Sequence, residues 1–388
     1  MAKPTRSRFF DSPLRLFYTL MITTAALVVL GLVMVFSASS IHAIDTKGYA
    51  FAIALRQFVF LVLGIFAALW CARLPLARWH GLAKSGLVIS VAILAVIFVP
   101  GIGKEVNGNR NWINFRVFDV QPSEIAKMLL IIWAARLLSR EEENGVKRFS
   151  VMRLIAPGFL LVIAIIVIEK DLGTALVVIG ILASLLFISG IDLKIFGRVT
   201  MAFLAGIAVL IVTEPYRMRR LTSFIAPFAE ENYKTISWQP AHSLLGLASG
   251  GVFGVGLGGS RQKWGNLPEA HTDFIYSVIG EELGLFGTVA VLILFIMLIY
   301  SIFRIALRAQ DPFTRIACVG IGAWIGIQAI VNIGMAISVF PVVGVTLPLV
   351  SYGGSALMAT LFALGFVAGA ALRDPETKRA LMKKYAAR

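Results

Sequence analysis

Apolar side chains run along this chain in long blocks, separated by short polar stretches rich in Gly, Pro and charge. Ten blocks stand out, at 16–38, 54–73, 83–100, 121–138, 153–169, 172–189, 195–213, 274–300, 316–338 and 352–372. A bilayer core of about 30 Å takes roughly 20 helical residues at about 1.5 Å each, so each block predicts one membrane-spanning helix. Backbone groups in hydrocarbon must pair within their own segment, and the alternation of a transmembrane barrel is missing. The predicted fold class is an all-α integral membrane protein, a polytopic bundle of about ten transmembrane helices. It divides into a tail over 1–15, a single transmembrane domain over 16–372 and a basic tail over 373–388. Two connections are too rich in Trp, Gly and charge for plain turns, 101–120 and 214–273. A loop as long as 214–273 with this much Leu, Phe and Gly is predicted to be structured, with 240–259 as a short interfacial or re-entrant helix.

Composition agrees. Of 388 residues 58% are hydrophobic and 15% charged, with a mean hydropathy of +0.85; soluble domains have roughly 45–50% and about 25%. A water-soluble globule and a disordered chain are both excluded. The charge adds orientation. Thirty-six Lys and Arg against 21 Asp and Glu give a net charge of +15, which in a membrane protein points to anionic lipid rather than nucleic acid. With the N-terminus inside, the inner segments carry 23 Lys and Arg and the short outer loops 6. The positive-inside rule then places both termini in the cytoplasm and 101–120 and 214–273 outside. Lys3, Arg6, Arg8 and Arg15 precede a first block too long for a signal-peptide core, so an uncleaved first helix is expected. Cys71 and Cys318 lie in apolar runs and predict no disulfide framework.

The sharpest chemical constellation is Pro268-Glu269-Ala270-His271-Thr272-Asp273, at the point where the long loop enters the membrane, followed by Glu281 and Glu282. Carboxylates at membrane depth mark a functional or a paired site. Asp273 is read either as a helix cap or as a functional group, and Glu281 and Glu282 as partners of a basic residue inside the bundle. A second constellation is Trp112 with Gln121-Pro122-Ser123-Glu124-Ile125-Ala126-Lys127. Glu124 and Lys127 at i, i+3 share a helix face, and either neutralise each other or let Lys127 contact a phosphate or position a carboxylate of another span. Trp112 is otherwise an interfacial belt residue. Arg217, Arg219 and Arg220 open the long loop, and Arg261 and Lys263 close its glycine-rich part. Guanidinium groups on the outer face suit a diphosphate headgroup. The Pro- and Gly-dense stretch from Asn332 to Ser355 is read as a wall of the same outward cavity. Gly254, Gly256 and Gly259 match the dinucleotide fingerprint only literally, since no strand precedes them, and no Walker motif is present; no nucleotide is expected. Gly322 with Gly326, and Gly365 with Gly369, predict close helix packing within the bundle. The four histidines show no metal-ligand spacing.

The runs PEAHTDF–GEELG, QPSEIAK and GVTLPLVSYGGS, in this order and across essentially the whole chain, resemble the SEDS proteins of bacterial cell-wall synthesis. MVFSASS, LPEAHTDFI and GVTLPLVSYGGS look more like the division member than the elongation or sporulation members. The resemblance implies a peptidoglycan glycosyltransferase that polymerises lipid II at the outer side of the cytoplasmic membrane, at the division septum. It implies that Asp273 is the essential carboxylate, and that Trp112, Glu124 and Lys127 match functionally important positions. It implies a divalent cation, Mg²⁺ or Mn²⁺, with Asp273 as a possible ligand. It also implies a class B penicillin-binding transpeptidase and other divisome membrane proteins as partners. Arg217, Arg261, Lys263, His271, Glu281 and Ser351 complete the set expected to bind substrate or support the site. Lys170 stands where the family commonly has Pro, and His242 where Gln is expected. The rival reading is a lipid II flippase, with Glu124, Lys127, Glu281 and Glu282 lining a headgroup path; a non-catalytic division scaffold is the third.

Overall fold

The computed structural model describes residues 13–106, 109–115, 118–143, 148–212, 218 and 224–386. Ten long helices occupy the ten expected places: α1 Pro13–Lys47, α2 Ala52–Arg73, α3 Leu76–Ala95, α4 Pro122–Glu143, α5 Arg148–Ile168, α6 Leu172–Ile188, α7 Leu193–Val212, α9 Ile275–Arg308, α10 Pro312–Ala336 and α11 Gly354–Arg373. Between α7 and α9 lies α8, Trp238–Gly250, and the chain closes with α12, Pro375–Ala386. Helix starts follow the local chemistry. Asp171 caps α6 by accepting from the Thr174 amide at 2.9 Å, and Asp311 caps α10 by accepting from the Thr314 amide at 2.9 Å, with Pro312 in the first turn.

The interior of the bundle is built by α10 and α11, whereas α2 and α3 turn most of their length outward to lipid. Small residues set the close crossings. A Cβ at Gly369 would lie 2.6 Å from the Ala72 carbonyl oxygen, and one at Gly365 would strike the Ala68 carbonyl, so α11 meets α2 backbone to backbone. Gly322 and Gly326 instead receive the side chains of Ile302 and Ile299 of α9. The small-residue pairs thus pack within the bundle, as their spacing predicts.

Two departures from the expected all-helical plan matter for the site. The 101–120 connection contains a three-stranded antiparallel sheet, β1 Gly103–Val106, β2 Asn109–Asn114 and β3 Asp119–Val120. Its strands are too short and polar to register as a pattern. The second departure is in α9, which is broken at Gly284 with φ 68° and ψ −161°. The re-entrant helix is real but shorter than 240–259: α8 ends at Gly250, and the loop after it runs against the break. Val255 and Gly256 donate their amides to the Glu281 and Glu282 carbonyls at 2.9 and 3.1 Å. Leu285 and Phe286 donate theirs to the Gly251 and Val252 carbonyls at 2.9 and 3.3 Å. Non-helical backbone at membrane depth persists where each freed group finds such a partner.

Candidate active site

Asp273 lies one residue before the position that opens α9. The cap position itself falls on Phe274, which makes no side-chain cap bond. Asp273 is half-buried, and three neighbours fix its backbone. The Asn332 amide of α10 donates to the Asp273 carbonyl at 2.8 Å and to the Val345 carbonyl at 2.7 Å. Ser351 donates its hydroxyl to the Thr272 carbonyl at 2.6 Å, and Tyr352 donates its amide to the His271 carbonyl at 2.9 Å. The Pro- and Gly-dense turn between α10 and α11 is therefore sewn to 271–273. Gly344, at φ 70°, faces the carboxylate: a Cβ there would stand 3.7 Å from Asp273 Oδ2. Ser351 also accepts from the Leu347 amide at 2.9 Å, so it acts as a fastener of this turn. Gln57 of α2 holds the turn from behind, donating to the Ser351 carbonyl and accepting from the Gly353 amide, each at 3.2 Å.

The small sheet joins the same assembly. Asn111 of β2 and Gln121 both donate to Asp171 Oδ2, at 2.9 and 3.1 Å. Gly173, in the first turn of α6, lets Val343 and Val345 rest against it. Trp112 is half-buried on β2, opposite Lys104, which pairs with Asp119 at 2.7 Å. Close by, Glu169 is buried with neither carboxylate oxygen hydrogen-bonded among the described residues. Burial, reinforced by the Asp171 charge, pushes its carboxyl up to about 8. Lys170 takes φ 66°, a conformation no proline can adopt.

Glu124 and Lys127 meet as an ion pair of 2.8 Å that is almost fully buried. Lys127 also donates to Gln328 Oε1 at 3.0 Å and lies 4.8 Å from the Trp324 ring centre. Gln328 donates onward to the Thr346 carbonyl at 3.2 Å, in the turn that abuts Asp273. The pair neutralises itself in this structure, and Gln328 links it to the turn beside Asp273.

Glu281 and Glu282 form a separate hub. Glu282 accepts from Lys263 at 3.2 Å and from the Ser37 hydroxyl at 2.7 Å on both oxygens. Glu281 finds no basic side chain among the described residues: it accepts from the Arg261 amide at 2.9 Å, the Gln262 amide at 3.4 Å and the hydroxyls of Ser249 and Ser260. Lys263, expected to face a diphosphate, is instead buried beside Glu282, because a carboxylate inside the bundle is the stronger claim on its charge. Arg261 keeps an exposed side chain while its amide serves Glu281. Arg217, Arg219 and Arg220 lie outside the described residues. The four charges that a headgroup path would need are thus all buried and engaged with partners of the chain itself.

His271 stacks on His42 with ring centres 5.5 Å apart and leans on Tyr352 at 5.6 Å. Burial pushes its imidazole down to about 4; Glu269 opposes the shift and His42 adds to it, so the ring is neutral at pH 7. Among the described residues no group of three or more His, Cys, Asp or Glu converges to hold a metal ion. Asp273 can still share a hard cation with phosphate oxygens of a substrate, the usual way Mg²⁺ is held with one or two carboxylates. Gln57, Gln328 and Asn332 build the site as much as the charged residues do. Gln57 is a single amide inside its apolar block and Gln328 shares its block with Asn332, and these interruptions are the signal that finds them.

Comparison with known proteins places this architecture. The family described as cell cycle protein, comprising FtsW, RodA and SpoVE, matches residues 18–374. The chain is 38% identical over 383 residues to the probable peptidoglycan glycosyltransferase FtsW of Mycobacterium tuberculosis, covering 98% of this chain and 72% of that one. It is 37% identical over 349 residues to the stage V sporulation protein E of Bacillus subtilis, covering 89% and 94%. A solved structure on the coordination of polymerization and crosslinking by a peptidoglycan synthase complex superposes with a TM-score of 0.75 at 29% identity, covering 92% of this chain and 98% of that one. The match spans all ten long helices, and the chain belongs to the FtsW, RodA and SpoVE family of cell cycle proteins, the SEDS family its motifs resemble.

Proposed function

We propose that this chain is a peptidoglycan glycosyltransferase that polymerises lipid II at the outer face of the cytoplasmic membrane during septal wall synthesis. The observation that carries the reading is Asp273: one half-buried carboxylate at the mouth of α9, its backbone clamped by Asn332 and by the turn that Ser351 and Gln57 hold. Joining an α-linked sugar diphosphate through a β bond inverts the anomeric centre, so one in-line displacement suffices. The diphosphate leaves without needing a proton, which removes the second carboxylate a glycosidase requires. The acceptor 4-hydroxyl must lose its proton as it attacks, and Asp273 takes it. Glu124 and Lys127 act through Gln328 on the turn beside Asp273 and are positioning residues. In the alternative role, in place of acting as base, Asp273 would hold a Mg²⁺ or Mn²⁺ together with the donor diphosphate, and the ion would supply charge neutralisation for the leaving group. A class B penicillin-binding transpeptidase is the expected partner, with other division proteins of the membrane, and both termini lie in the cytoplasm.

Purified protein, alone and with its transpeptidase, is given lipid II with Mg²⁺ or Mn²⁺, and products are resolved on a gel. Wild type yields glycan polymer, while Asp273→Asn yields none and keeps its thermal stability and partner binding. Wild-type activity in Asp273→Asn removes the assignment. Absence of polymer with the partner present, together with lipid II translocation in liposomes, supports the flippase instead.

A further inference from the structure

The turn between α10 and α11 has more donors than the chain uses. Its carbonyls at Val345 and Thr346 accept from Asn332 at 2.7 Å and from Gln328 at 3.2 Å. The amides at either end are engaged too: Val343 donates to Met335 Sδ at 3.4 Å, and Leu347 donates to Ser351 Oγ at 2.9 Å. Between them, the consecutive amides of Gly344, Val345 and Thr346 donate to no acceptor among the described residues. An unpaired backbone amide is uncommon, and more so at a buried residue such as Val345. The neighbours fix where these amides point. A trans peptide sets its N–H opposite the preceding C=O. The Val343 carbonyl rests on Gly173 of α6, so the Gly344 amide turns away from α6. The Val345 carbonyl is drawn to Asn332 of α10, so the Thr346 amide turns away from α10.

This row of amides stands beside Asp273. Gly344 is exposed at φ 70°, and a Cβ there would lie 3.7 Å from Asp273 Oδ2. None of the three amides is spent on that carboxylate. A side chain at 344 would fill the space in front of Asp273, so glycine leaves that space to a ligand. Successive backbone N–H groups in a turn with a left-handed residue form a concavity that binds anions, phosphate among them, and their partial charge is the same at every pH. Held by Asn332, Gln328, Ser351 and Met335, the row is set before any ligand arrives. That is the condition for donors to stabilise charge as it develops in a reaction.

Resting on the glycosyltransferase reading, we propose that the amides of Gly344, Val345 and Thr346 bind the diphosphate of the lipid-linked donor. The bond from the acceptor 4-oxygen to the anomeric carbon forms as the bond from that carbon to the diphosphate oxygen breaks. The electron pair stays on the diphosphate, where the amides meet the charge, and the acceptor proton passes to Asp273. The test removes single N–H groups and keeps the side chains: an α-hydroxy acid replaces Val345 or Thr346 in the full chain, which turns that amide into an ester. Undecaprenyl diphosphate and undecaprenol are titrated in neutral detergent and followed by native mass spectrometry and thermal unfolding. The wild-type chain retains the diphosphate at least about tenfold more tightly than the alcohol, and each ester weakens that retention about tenfold with the ligand-free melting temperature unchanged. With lipid II, kcat falls about a hundredfold in the same variants. Wild-type retention of the diphosphate in both esters overturns the proposal, as does equal retention of diphosphate and alcohol by the wild-type chain. If one ester variant fails to fold, the other decides by the same criterion. Diphosphate binding that depends on these amides, in a chain that makes no polymer with its partner, supports the site and removes the glycosyltransferase reading, so the two fail separately.

Discussion

Asp273, just ahead of α9, and the Glu281–Glu282 pair inside it are only eight and nine residues apart in sequence, and on paper they belong to one acidic constellation. Their surroundings divide them. Glu281 and Glu282 have their oxygens taken up by Lys263, Ser37, Ser249, Ser260 and backbone amides, with both side chains almost fully buried. Around Asp273 the chain's effort goes into placing the backbone, through Asn332, Ser351 and Tyr352, and the residue stays half-buried with a glycine beside its carboxylate. The comparison teaches that charge at membrane depth is a poor guide to chemistry until its partners are counted. Glu281 and Glu282 fasten the 260–263 segment to α9, whereas Asp273 is half-buried at the mouth of that helix on a backbone held by α10 and the turn that follows it.

Substitutions separate the two kinds of carboxylate. The largest functional effect belongs to Asp273→Asn, which abolishes polymerisation and changes unfolding by no more than about 0.5 kcal/mol, the range of a substitution off the core. The largest effect on stability belongs to the hub. Lys263→Met leaves Glu282 buried and uncompensated and costs about 3–5 kcal/mol in thermal or denaturant unfolding; replacing Glu282 by Leu in the same chain restores much of that. Gly284→Ala comes next. It forces a left-handed φ on alanine and drives a Cβ onto the Gly254 amide, for a loss of about 1–3 kcal/mol, and proteolysis of the 251–260 loop rises in step. A further effect depends on pH. Glu169 has its carboxyl raised to about 8, so the folded state holds a proton that the unfolded chain releases near its ordinary value. Its contribution is complete below about pH 4.5 and is lost as pH rises through 8. Glu169→Gln therefore leaves stability nearly unchanged at pH 4 and raises it by more than about 1.4 kcal/mol at pH 9, one pKa unit's worth. Parallel melting curves of the two proteins at both pH values check it.

Legibility follows the physics of each feature. The ten spans were plain because burial in lipid demands a long apolar block, and α1 to α7 and α9 to α11 sit where those blocks fall. The motif at 268–273 and the turn from 332 to 355 were legible as parts of one outward site, and the structure brings them together through Asn332 and Ser351. The sheet over 103–120 was not, since strands of two to six residues have no room for a periodic signal. Neither was the destination of Lys263. Its pairing with Glu282 depends on how α8 folds back, a long-range event with no local signature. The break at Gly284 is written as one glycine in an apolar run that also holds Gly280 and Gly287, and only the neighbouring backbone tells them apart.

The exchange of hydrogen bonds between the 251–256 loop and the two halves of α9 also dictates an order of assembly. On the ribosome the loop emerges before α9 does. Its amides at Val255 and Gly256 and its carbonyls at Gly251 and Val252 have their partners at residues 281–286, so hydrocarbon is closed to it until those residues have been inserted. The hairpin must wait at the membrane surface, with its exposed apolar tip at Val252 and Phe253 held near the headgroups, and fold inward only after the following span is in place. Biogenesis of this chain thus contains a step that runs backward along the sequence: a segment made earlier completes its insertion on a scaffold made later.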